Sequence, residues 1–486
     1  MSDPLRVMDN AHDAVDDDPS FVANGLSARD GGYLVPPLSP RIMSAIAIGQ
    51  PLDDEMRKAL NAIARKDETT LGTVHGVDAS DLRAAGWGVV FAADDPDAPA
   101  MRDALSPLLR HREGQAGRYY REYIDGTGIS ADSDGWSFLS ALGSATGQPV
   151  DPELVPYYLL IVASPERVSF DAQCAMDTQN AVGRLWFDGD TLQERLAALE
   201  TYATAMVTRE KAALAAPKRA LFFAARNKGD KATQRSAKFL ALPASAAFTA
   251  KHTEWSVTAT IAAAATRDAL LASLNGDSPP TLLFTATHGA GFALGDALQY
   301  ERQGALVCQD WGGLDSTGPL EANEYVAADD ITTTSLPGTI ALLFACYGAG
   351  TPSFDAFLPP DVVADQRIAD HAFVARLPQR LLLAGASAVV GHVERAWTCS
   401  FQWPGAGAQT QVFTSLFDAL AAGTPIGAAM EYFDARCGSV SNQLVGAIRA
   451  QKTGKQNHLD IGGLWTAQMD ARNYVVLGDP ASRLDT

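Results

Sequence analysis

The feature that most restricts how this chain can fold is a rhythm: short apolar runs of strand length, each followed by a long amphipathic stretch, from about residue 81 onward. Seven runs carry it: GWGVVFA (86–92), YYLLIVA (157–163), ALFFAA (220–225), TLLFTAT (281–287), TIALLFA (339–345), ASAVVGH (386–392) and YVVLG (474–478). Runs of this length without polar alternation suit strands buried on both faces, which belong to mostly parallel sheets covered by helices. The stretches between them, such as Asp190–Ala215, Thr258–Leu274 and Asp365–Ala384, read as the covering helices. The fold class is therefore α/β. A long helix ending at Ala216-Pro217 marks a seam, since proline disfavours helix in the residue before it. Three parts follow: an acidic tail and N-terminal segment of unassigned role (1–80), with a helix expected over residues 51–66; an α/β half-domain (81–216); and a second α/β domain (217–486).

Composition removes several function classes. Thirty-eight Lys+Arg against 57 Asp+Glu give a formal charge of -19, with no electrostatic footprint for nucleic acid or anionic lipid. The longest apolar stretch, Leu381–Gly391, is far shorter than the roughly 20 residues that cross a bilayer, and the opening residues lack a secretory core. A cytoplasmic protein without a membrane partner is expected. Five cysteines stand singly at 174, 308, 346, 399 and 437. That spacing offers neither a disulfide framework nor a zinc site, so one that matters would matter as a thiol.

Two of the apolar runs end in chemically loaded turns: TLLFTAT enters His288-Gly289, and TIALLFA enters Cys346-Tyr347-Gly348. Carboxyl ends of parallel strands are where such sheets bind ligands, so neighbouring strands would bring an imidazole and a thiol to one cleft. Attack by sulfur on a carbonyl needs a thiolate and a group that protonates the leaving amine, which histidine supplies. Glycine beside each lets backbone N–H groups approach a developing oxyanion. A cysteine after an apolar strand is more often a small buried hydrophobe. It is the two motifs together, histidine first, that shift the balance.

The pair THG and FAC, at the spacing 288 to 346, resembles the caspase-like cysteine peptidases, the group that includes caspases, separases and gingipains. The gingipain type is most similar: YYLLIVASPE and NAVGRLWFD resemble its preceding half-domain, GASAVVGHVERAW its substrate-pocket strand and loop, and YVVLGDPASRL its closing strand. The resemblance spans about residues 81–486. It implies a caspase-like mostly parallel sheet flanked by helices, a His288–Cys346 dyad, oxyanion donors at the Gly289 and Cys346 amides, and Trp397 as a pocket wall. It implies a cysteine endopeptidase acting on protein or peptide, with no cofactor. Where gingipains carry a glutamate before V-G-R, this chain has Gln179-Asn180, so the partner of His288 is left unassigned.

An acidic residue at the pocket floor would select Arg or Lys at the cleavage position by a charge-assisted contact, and Asp188, Asp310 and Glu394 are the candidates. Asp310 lies with Cys308 and Trp311 on the long loop GALVCQDWGG (304–313), which could line or cover the cleft. The glycines of HGAGFALGD (288–296) match neither nucleotide fingerprint. His392, Glu394 and Cys399 in one loop make a poor zinc site. Two alternatives stay open: a catalytically silent caspase-like scaffold that binds a partner peptide, and a different acyl transfer run by the same dyad.

Overall fold

All seven apolar runs are strands, and each is enclosed by helices because hydrocarbon points to both faces. In the computed structural model, which describes residues 72–484 apart from 146, 213–215, 317, 358–366, 404–406 and 453–457, ten strands form one sheet. They are β1 (Trp87–Phe91), β2 (Tyr120–Tyr123), β3 (Tyr158–Val162), β4 (Ala181–Arg184), β5 (Arg219–Ala224), β6 (Ser256–Ile261), β7 (Leu282–Ala286), β8 (Ile340–Phe344), β9 (Ala388–His392) and β10 (Tyr474–Gly478). The order across the sheet is β2-β1-β3-β4-β10-β9-β8-β7-β5-β6. The β9–β10 pairing is antiparallel and the others are parallel.

Strands before residue 216 fill one side of this sheet, and strands after it fill the other. Each side is laid down the same way. β1 pairs outward with β2 and inward with β3, which pairs with β4; β5 pairs outward with β6 and inward with β7, which pairs with β8. β10 closes the gap between β4 and β9. The described residues all lie within one compact unit.

Alternate residues of one strand serve opposite layers. Leu221 and Phe223 of β5 join one core with the helix Leu192–Ala212, which contributes Leu199, Tyr202 and Met206. Phe222 enters the other, where its ring meets Phe248, Phe284 and Phe417 at centroid distances of 5.8, 5.9 and 5.5 Å. A side chain of that size fully buried stabilises by roughly 1.5–3 kcal/mol. The two sides of the sheet are also tied by a buried polar knot. Asp479, just after β10, accepts from Trp87 Nε1 at 3.0 Å and from Arg112 Nε at 2.7 Å, and Arg112 also pairs with Glu210 at 2.6 Å.

Three strands of this ten-stranded sheet were not anticipated. β2 and β6 are edge strands with mostly half-exposed or exposed positions, and β4 is only AVGR, so none shows a long apolar run. The helix expected over Thr258–Leu274 is instead β6 followed by a helix at Arg267–Asn275; the β-branched alternation SVTATI suits an edge strand. The stretch from Asp365 to Ala384 likewise holds a short strand, Phe373–Val374, before the helix Arg376–Leu383. The acidic tail and the helix expected over residues 51–66 lie outside the described residues. Among the described residues no helix is long and apolar enough to cross a membrane.

Candidate active site

β7 and β8 are parallel neighbours with Ala286 opposite Phe344, so the turns two residues further on, His288 and Cys346, emerge side by side. Thr287 N–H donates to Phe344 O at 3.1 Å, which keeps the strands together up to the turns. Gly289 lies so close to the Cys346 backbone that a Cβ there would overlap the Cys346 carbonyl oxygen, and no other residue fits. Tyr347 has φ 58°, left-handed for a non-glycine residue. That turn is held by the Tyr347 N–H donating to Glu394 O at 2.8 Å and the Ala349 N–H to His392 O at 3.0 Å. Among the described residues the Cys346 N–H has no backbone acceptor. Ala290 N–H donates to Ala305 O, so the alternation of an antiparallel ladder turns the Gly289 N–H away from that strand.

The His288 ring, 35% exposed, bonds through Nε2 to Asp230 Oδ2 at 2.8 Å. Asp230 follows β5, the neighbour of β7, and caps the helix Lys231–Ser236 by accepting from the Ala232 and Thr233 amides. Its Oδ2 also accepts from Thr233 Oγ1 at 2.5 Å. Burial pushes the Asp230 carboxyl up, but the hydrogen bonds from His288 and Thr233 and the charge of His288 outweigh burial, and the group lies well below the usual carboxylate range. An ionised carboxylate can only accept, so Nε2 carries the proton and Nδ1 is left as the basic nitrogen. Trp311 packs edge-on against the ring at a centroid distance of 5.8 Å. Its loop is anchored by Asn227, whose Nδ2 donates to Cys308 O and Trp311 O.

Gln179 and Asn180 do other work: the first braces the loop Ala145–Gln148, and the second donates to Pro156 O. Support for His288 thus comes from another strand. Asp230 was missed in the sequence although N-K-G-D-K-A-T after ALFFAAR carries a visible signal, an N-capping Asp at the carboxyl end of a strand.

Cys346 is half-buried, and its Sγ lies 3.9 Å from Ala396 O. Burial pushes its thiol up, against a smaller opposing pull from Ala396 and the charge of Arg395. A thiol held up in this way needs a base to ionise. Beside it, Glu394 is buried and pairs with Arg395 at 2.8 Å, and Arg395 makes a two-pronged contact to Asp355 at 2.5 and 2.7 Å. Burial raises Glu394 to about 7, with Arg395 opposing. The Trp397 ring lies tilted against Phe357 at a centroid distance of 5.0 Å, its backbone N–H donates to Asp470 Oδ1, and its ring Nε1 is buried without a partner among the described residues.

The other two acidic candidates sit elsewhere. Asp310 is exposed and accepts from Arg267 N at 2.6 Å, at the start of a helix. Asp188 lines a cavity beyond β4 and accepts from Trp186 Nε1 and Gln379 Nε2. His392 is fully buried and bonds to Asp470 O, and Cys174, Cys308 and Cys437 are buried thiols.

No curated protein matches the chain. Among solved structures it is similar to the Arg-specific cysteine proteinase gingipain R, at 12% identity over 82% of this chain and 78% of that one, TM-score 0.46. It is also similar to the complex of Porphyromonas gingivalis RgpB pro- and mature domains (10% identity, 82% and 79% covered, TM-score 0.41). A third similarity is to the Saccharomyces cerevisiae separase–securin complex (10%, 67% and 15% covered, TM-score 0.33). Residues 138–396, a span that includes His288, Cys346 and Glu394, match the CHAT domain. The chain belongs to the CHAT domain family, within the caspase-like cysteine peptidase clan.

Proposed function

We propose that the chain is a cysteine endopeptidase with His288 and Cys346 as its dyad and Asp230 orienting the histidine. The observation that carries this reading is the Asp230–His288 bond beside the Cys346 turn, because it leaves Nδ1 free to take the thiol proton. Sulfur attacks the peptide carbonyl, and the Gly289 and Cys346 amides receive the oxyanion. His288 then returns the proton to the departing amine, and water, deprotonated by the same ring, releases the acyl-enzyme. A silent scaffold would be favoured by a histidine without support, and the Asp230–His288 bond supports the enzymatic reading instead.

Cleavage after Arg or Lys is the finer part of the proposal. Glu394 and Trp397 lie on the segment whose backbone runs beside the Cys346 turn, and a substrate guanidinium would compete with Arg395 for the Glu394 carboxylate. Purified chain should cleave a fluorogenic peptide library and be alkylated at Cys346 by an irreversible electrophile, with Cys346→Ala losing both. Cleavage that persists in Cys346→Ala would remove the mechanism. Preference for Asp or an aliphatic residue at the cleaved position would remove only the basic specificity, and a new peptide bond among the products would make the reaction a ligation.

A further inference from the structure

The first half of the sheet repeats the strand plan of the second, so it has its own crevice where the connections diverge. In the second half that place, beyond β5 and β7, holds Asp230 and His288. In the first it lies beyond β1 and β3, next to the end of β4, and there the structure has a cavity of about 300 Å³. Crevices at such switch points are the usual ligand sites of open α/β sheets, and this volume is at the small end for a ligand pocket. The crevice is preformed. Arg184, buried at the end of β4, donates to the carbonyls of Ala163, Val168 and Ser169 and so holds the loop after β3.

The lining is charged, and most of its charge is already matched. Arg167 Nε lies 3.3 Å from Asp95, and Arg195 Nη2 lies 3.1 Å from Asp97. Beyond these pairs the lining holds the exposed Glu166 carboxylate, the Asp188 carboxylate and the edge of the Arg195 guanidinium that Asp97 does not take. The Asp188 carboxylate receives neutral donors, Trp186 Nε1 at 2.9 Å and Gln379 Nε2 at 2.8 Å, while Arg376 stands off at 3.9 Å. Arg195 keeps a buried Nε–H with no acceptor among the described residues, and a buried guanidinium donor left unpaired is costly. Asp188 and Arg195 attend the same indole: Trp186 bonds to Asp188 through its nitrogen, and the Arg195 guanidinium lies 5.8 Å from its ring centroid.

We propose that this crevice is a second ligand site, separate from the Cys346 cleft, for an α-amino acid, with Asp188 taking the ammonium and Arg195 the carboxylate over the face of Trp186. An α-amino acid carries both charges within the reach of one indole.

The test is calorimetric titration of the full chain with each of the twenty common α-amino acids, and with the amine and the carboxylic acid that correspond to the best binder with one charged group removed. Saturable binding of at least one amino acid is expected, with both truncated probes weaker by about tenfold or more, since each lacks a charge-assisted contact. Asp188→Asn and Arg195→Gln should each weaken binding by a similar factor while the variants melt cooperatively, and Cys346→Ala should bind unchanged. The proposal is overturned if none of the twenty binds saturably, if a truncated probe binds as tightly as the amino acid, or if binding survives Asp188→Asn. The truncated probes act on the unaltered chain, so the test holds even if a variant fails to fold.

Discussion

Replacing Asp230 with asparagine separates the two jobs this residue holds. Ala232 N–H donates to Oδ1 and Thr233 N–H to Oδ2, so the single amide oxygen of Asn keeps one of these two bonds and the helix stays capped through it. What is lost is the carboxylate facing His288 Nε2 at 2.8 Å. A hydrogen bond to an ionised group contributes about 1.5–3 kcal/mol, which at about 1.4 kcal/mol per factor of ten is a fall in kcat of roughly 10- to 150-fold. If the new amide turns its NH₂ toward the ring, Nε2 must accept and the proton moves to Nδ1, which can then no longer act as base; the loss then approaches about 10⁴-fold. KM should change little, because Asp230 is buried behind the ring. Stability supplies a control with a definite sign. The folded-state pKa of Asp230 is depressed, so its stabilisation is fully present above the unfolded-state value of about 3.9 and is lost as pH falls through the folded value. Wild type and Asp230→Asn should therefore differ in denaturant midpoint at pH 7 and converge as the pH drops below about 4. Steady-state kinetics on the best fluorogenic peptide decides the matter. An Asp230→Asn enzyme with kcat within about threefold of wild type, when Cys346→Ala is inactive, would falsify the orienting role.

Other perturbations probe the same framework. Gly289→Ala should abolish cleavage and lower the melting temperature, because the added methyl overlaps the Cys346 carbonyl and forces the two turns apart; a fully active variant would contradict the close approach. Glu394 has a folded-state pKa raised from 4.5 to about 7, so its contribution to stability falls as pH rises through that window; Glu394→Gln should flatten the melting-temperature profile there, and an unchanged slope would argue against a titrating group at 394. Asp479→Ala should cost about 3 kcal/mol by chemical denaturation, the lower end for a broken buried pair because Glu210 still holds Arg112. A loss under about 1 kcal/mol would show that the knot joining the two sides of the sheet is dispensable.

The seven central strands could be read directly from residue order, since a strand buried on both faces must be hydrocarbon throughout, and no other element compresses that pattern into so few residues. His288 and Cys346 were legible for the same reason: each directly follows such a run, so its place at a strand end is a local fact. Edge strands such as SVTATI carry no such compulsion, because their exposed positions accept polar residues, and an α/β reading turns them into helix. The partner of His288 was out of reach in a different way. Asp230 and Gln179 are both polar residues beyond apolar segments, and what separates them is that β5 lies next to β7 while the Gln179 loop packs against residues 145–148. Strand order is settled by which hydrocarbon faces pack together across hundreds of residues. The fate of Glu394 has the same origin: its charge is written in the chain, but the guanidinium that occupies it and the burial that lifts its pKa exist only after Asp355, Arg395 and Glu394 are folded together. Residue types decide which chemistry is possible, and the non-local contacts of the folded sheet decide which groups meet.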